Sequence, residues 1–143
     1  MNSVNRYIPD AAYRLRAADA AALTADAVLN AGPLVSPIGA PWNDAVKDGK
    51  VVFVAQGKEI VATGTYKLTV VTSANADLSA PQNHMSFDID SAVATSKWVE
   101  LLIDQVSLLK ADTDAKYWGV AVDVGGTTPS IKIEAYILPP VGQ

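Results

Sequence analysis

Few residues of this chain could do covalent or acid–base chemistry. His84 is the single histidine in 143 residues and there is no cysteine, so any general-base, triad or metal-relay role would have to pass through one imidazole. On a β-strand His84 shares a face with Ser86, Asp88 and Asp90, which supplies the residue types of a hydrolase triad. Side chains two apart on one strand point in parallel, however, whereas a nucleophile, its base and the orienting carboxylate must converge on one another. The expectation is therefore no enzyme and no catalytic residue. A hydrolase reading would require convergence on His84, and full activity in a His84→Ala variant would dismiss it.

Metal and phosphate chemistry fare no better. One histidine cannot furnish the first shell of a cupin-type centre. Asp88 with Asp90 and Asp112 with Asp114 offer paired oxygen donors of the kind calcium takes, but neither pair lies in a run with EF-hand spacing. They read as an outward strand face and a polar turn. Gly125-Gly126-Thr127-Thr128 lacks the lysine of a phosphate loop and joins two strands instead of opening a helix, so it reads as a hairpin turn. No cofactor and no metal are expected.

Three tryptophans and five tyrosines remain as binding chemistry, because aromatic faces anchor protein interfaces and also stack on sugar rings. The alternation around Trp118 assigns it to the core. Trp42, in a proline-rich loop, is the better interface anchor.

The elements that would position these residues read as follows. At this length one core is filled, and half of the residues are hydrophobic with only 18% charged, as in a folded chain. Residues 10–24 are alanine-rich with Asp10 as a possible cap, which suits a short helix or an extended arm equally. Gly32-Pro33, Ser36-Pro37, Gly39 and Pro41 then punctuate a loop region. From Lys50 the texture is β. The run VVFVA at 51–55 is separated from the next strand by Gln56-Gly57-Lys58-Glu59, as in a hairpin.

Further along, Tyr66, Leu68 and Val70 alternate with Thr65, Lys67 and Thr69, and Met85, Phe87 and Ile89 alternate with polar residues. Residues 97–109 fit a strand with Lys97, Val99, Leu101 and Ile103 on one face, although Trp98, Leu101, Leu102 and Leu109 also fit a helix; strand is the reading adopted. Residues 117–124 and 131–138 alternate cleanly about the Gly-Gly turn and predict an antiparallel hairpin. Pro139-Pro140 stops the last strand.

With residues 26–30 as a first strand, the count is about eight antiparallel strands: an all-β jelly roll or β-sandwich. It would occupy residues 25–138, between an N-terminal arm or short helix at 1–24 and a tail at 139–143.

The net charge of −4 argues against a nucleic-acid partner. Residues 1–16 nonetheless carry Arg6, Arg14 and Arg16 against Asp10, a balance of +2 on an otherwise acidic body. Residues 1–10 lack a secretory apolar run, and no stretch is long and apolar enough to span a membrane, so the chain reads as soluble and made in the cytoplasm.

The closing segment Lys116–Leu138, KYWGVAVDVGGTTPSIKIEAYIL, resembles the last hairpin of phage capsid cement proteins of the Bordetella podophage type. Such a hairpin has an aromatic-led strand, a Gly-Thr-Thr-Pro-like turn and a final alanine-aromatic-aliphatic strand. Residues 22–30 look like an early strand of that family, and residues 66–72 and 85–90 sit where its sheet strands would. The N-terminal arginines and tyrosines and the Trp42 loop match no part of the pattern.

The resemblance implies a homodimer or other homo-oligomer on the exterior of a virion capsid. There it would bridge major capsid protein subunits against the pressure of packaged DNA. The contact residues expected on that reading are Arg6, Tyr7, Tyr13, Arg14 and Arg16 in the arm, with Trp42 as a loop anchor. Deletion of residues 1–16 is expected to spare the fold. The rival reading is a carbohydrate-binding jelly-roll module of a tail fibre or adhesin, which would need coplanar exposed aromatics.

Overall fold

The computed structural model describes residues 14–17, 19–34, 50–89 and 98–138. The expected Asp10 cap, the proline-rich loop around Trp42 and the tail at 139–143 lie outside them. Within them the all-β expectation holds. Eight antiparallel strands, β1 (Arg14–Arg16), β2 (Ala27–Pro33), β3 (Lys50–Lys58), β4 (Gly64–Ser73), β5 (Gln82–Asp88), β6 (Val99–Asp104), β7 (Tyr117–Gly126) and β8 (Lys132–Leu138), form a β-sandwich. One short helix, α1 (Gln105–Ala111), interrupts them.

The two sheets have the orders β1-β8-β3-β6 and β2-β7-β4-β5. The pairs are nested: β1 with β8, β2 with β7, β3 with β6 and β4 with β5. Two further pairings, β3 with β8 and β4 with β7, stitch those pairs side by side into sheets. Period-2 strands make this possible, because each sheet turns one set of side chains inward. The core is built from Val51, Phe53 and Ala55 of β3, Ile133, Ala135 and Ile137 of β8, Tyr66, Leu68 and Val70 of β4, and Trp118, Val120 and Val122 of β7.

Two expected hairpins do not exist. β3 and β4 lie in different sheets, as do β7 and β8, so each connection crosses from one layer to the other. The inward faces were read correctly, but the limits were not: Gln56-Gly57-Lys58, expected in a loop, belongs to β3, Gly125-Gly126 belongs to β7, and β4 begins only at Gly64. An amphipathic strand buries the same face whether its successor lies beside it or across the core. The glycine-rich turn crosses the layers with Gly126 at φ 89° and Thr128 at φ 43°. A Cβ on Gly126 would come within 2.5 Å of the Thr63 carbonyl, so the chain's close approach there needs glycine. Tyr66 secures the crossing: its hydroxyl donates to the Val61 carbonyl at 2.8 Å, accepts from the Ser130 amide at 3.0 Å, and lies 3.0 Å from the Ser130 carbonyl.

The stretch read as strand over 97–109 is half strand and half helix. Asp104 caps α1, its carboxylate accepting from the amide and the hydroxyl of Ser107. This lets Leu108 reach the core while Leu109 faces solvent. The described part of the 10–24 segment is extended: Arg14–Arg16 is an edge strand, and Leu23 bridges Ile131.

Candidate functional site

β1 brings the N-terminal segment onto the edge of the first sheet. Arg14 sits opposite Tyr136 and is exposed, and Leu15 packs against the core. Arg16 is half-buried and its guanidinium donates to the Ala21 carbonyl, with its Nε buried and unpartnered among the described residues. Of the six expected contact residues the structure thus describes two: one free at the surface and one employed within the fold. Arg6, Tyr7, Tyr13 and Trp42 lie outside the described residues. Leu15 is partly buried against the core, so a deletion of residues 1–16 removes a packed side chain together with the edge strand β1.

The outer face of the first sheet carries a second apolar cluster that sequence reading missed. Val52 and Val54 of β3 and Tyr136 and Leu138 of β8 point away from the core yet are buried, with Trp98 packed over them. The Trp98 and Tyr136 ring centroids are 6.1 Å apart. A signal existed: VVFVA and AYIL are unbroken apolar runs, and a strand that fails to alternate has both faces covered. At the polar end of this face Lys58 pairs with Glu134 at 3.1 Å, and the Tyr136 hydroxyl donates to the other Glu134 oxygen at 2.7 Å. Burial, that hydrogen bond and the Glu134 charge together push the phenol up to about 12.

His84 is not where alternation puts it. Met85 pairs with Val70 and Asn83 with Val71, so His84 is the extra residue of a β-bulge. The bulge swings its ring to the side of Thr72 and away from Ser86, which instead bonds Thr69 at 2.9 Å. His84 Nε2 lies 2.7 Å from the Thr72 hydroxyl, which lies 2.7 Å from Oδ2 of Asp112. A carboxylate only accepts, so Thr72 spends its one proton on Asp112 and receives the Nε2–H of His84. Thr72 is fully buried and sits between base and carboxylate, an arrangement that fastens β5 and the turn after α1 to β4. Burial pushes the imidazole below its ordinary value, with the Asp112 charge opposing.

On the outer face of the second sheet Lys67 lies directly between Asp88 and Asp123 in register, bordering a groove of about 290 Å³ that Asp26 also lines. Asp26 is occupied by the Val124 amide at 2.8 Å. Among the described residues no three metal-ligating side chains converge, and Asp90 lies outside them. The large exposed apolar residues described are all aliphatic or methionine, none aromatic.

Comparison with known proteins finds no matching family model, no similar curated protein and no similar solved structure.

Proposed function

We propose that this chain is a structural virion protein, a capsid cement protein that binds the outer surface of a major capsid shell and stiffens it. The observation that carries the reading is the edge strand β1. It holds Arg14–Arg16 on the edge of the sandwich while leaving Arg14 exposed, so a basic side chain of the N-terminal segment stands free to meet an acidic neighbouring surface. The resemblance of the Lys116–Leu138 sequence to cement proteins supports it, with its two strands lying in facing sheets and not paired as a hairpin. So does the nested pairing of β1 to β8, which is the pairing of a long ribbon rolled on itself and fits a jelly roll. On a symmetric shell many copies of a modest contact add up to strong retention.

The test mixes the purified protein with heads lacking it and follows co-sedimentation and resistance to heating. Saturable binding in a fixed ratio to the major capsid subunit, with heads that rupture later, is the expected result. A chain lacking residues 1–13 should keep its circular dichroism spectrum and lose retention on heads. Failure of the full chain to bind intact heads would reject the cement reading and direct the search to glycans.

A further inference from the structure

β2 is an edge strand with an irregular ladder. Among the described residues it pairs only with β7, its register slips between Asn30 and Gly32, and Val28 is exposed. Were it to lift away, β7 would present a bare row of amides and carbonyls, a template on which another strand can pair.

The connection between β4 and β5 reaches across to it. These two strands are antiparallel neighbours, which a turn of about two to five residues can join, yet residues 74–81 intervene. The extra length folds back over the outer face of the second sheet, past β7 to β2. The Asn30 carboxamide donates to the Ala76 carbonyl at 2.6 Å while its oxygen accepts from the Gly32 amide at 2.9 Å, so one side chain ties the slipped register to the connection. Leu78 is buried, and a Cβ on Gly119 of β7 would meet its Cδ1 at 2.6 Å and the Leu29 carbonyl at 2.5 Å. Gly119 is therefore a floor on which both the leucine and β2 rest. Val71, which pairs with Gly119 and alternates with the core residue Val70, is buried on that same outward face.

Seating Leu78 there strains the backbone. Leu78 and Ala80 are left-handed, with φ 58° and 49°, a region that L side chains disfavour. Local bonds hold them: the Ser73 hydroxyl donates to the Ser79 carbonyl at 2.5 Å, the Leu78 amide to the Asn75 carbonyl at 3.0 Å, and the Ser79 amide to Asp77 at 2.9 Å. The left-handed Glu59 and Thr128 lie where the chain changes sheets. Leu78 and Ala80 lie between neighbouring strands, where a plain turn would serve, and what their geometry achieves is the seating of Leu78 over Gly119.

We propose that residues 74–81 are a conformational strap with two states. Seated, with Leu78 over Gly119, the strap clamps β2 to the sheet; unseated, it lets β2 open ahead of the rest of the sandwich and bare the edge of β7. The device needs no capsid and stands apart from the cement reading, so it is tested on the purified full-length chain alone.

Amide hydrogen exchange under native conditions reads the opening of each strand separately. In Leu78→Ala the amides of residues 27–33 should exchange at least about tenfold faster, by a larger factor than any at β3 and β8. Asn30→Asp removes the donor to Ala76 and keeps the acceptor for Gly32, and it should also speed exchange selectively at residues 27–33. Combined, the two substitutions should give less than the product of their separate factors, because each unseats the same strap. Exchange at β2 that is unchanged in Leu78→Ala, that rises only by the factor seen at β3 and β8, or that multiplies fully in the double variant would overturn the proposal.

Discussion

At the scale of single residues, the only histidine is a fastener whose properties follow from its partners. Thr72→Val keeps volume but removes the hydroxyl between His84 and Asp112, leaving both polar groups without it. Unfolding free energy should fall by about 1–3 kcal/mol, read from urea titration. The pH response has a definite sign. Burial lowers the folded-state affinity of His84 for a proton, so the unfolded chain binds protons more readily. The stability this residue contributes is whole above its ordinary value and is lost as pH falls through the depressed one. Between pH 7 and about 5 the melting temperature should decline with falling pH, and His84→Gln should flatten that decline. None of this was legible beforehand, because a β-bulge leaves no mark in a polar–apolar pattern. His84 looked like a member of the Ser86 and Asp88 face until the strand gained its extra residue.

At the scale of elements, strands were far more legible than their connections. The alternation of Tyr66, Leu68 and Val70 gave the inward face of β4, and Trp118 stands in the core as expected. Partnership was misread for β3 with β4 and for β7 with β8, since lateral and facing neighbours impose the same alternation. Over residues 97–109 the pattern held up to Ile103, where Asp104 starts a helix that fits Leu108 into the core. The layer-crossing turn after β7 offers a direct test. Gly126→Ala meets both a positive φ and a carbonyl 2.5 Å from the new Cβ. It should cost about 1–3 kcal/mol, measured by thermal unfolding. A glycine serving an ordinary hairpin with room around it would cost less.

At the scale of the whole molecule, the sandwich holds one core between the sheets and a smaller one on the outer face of the first sheet. Phe53 is fully buried in the first, and Phe53→Ala should lose about 3–5 kcal/mol, a large share of the 5–15 kcal/mol typical of a domain. Loss of cooperative unfolding in that variant, followed by intrinsic tryptophan fluorescence, is the sign to look for. Of the expected contact residues, the sequence marks Arg14 and Arg16 alike as basic, and the fold separates them: Arg14 is exposed on β1, whereas the internal bond of Arg16 to Ala21 depends on a backbone bend that no residue pattern announces.

The nested pairing also sets an order of events during synthesis. Among the described residues β2 pairs only with β7 and β1 only with β8, while β3 and β4 are completed by β8 and β7 in turn. Until residues 117–138 have left the ribosome, the nascent chain can form only the β4–β5 and β3–β6 pairs, each with an open apolar face. Folding is therefore a late, nearly all-at-once event with a high contact order, and the half-made chain is the species most exposed to aggregation and most in need of a chaperone.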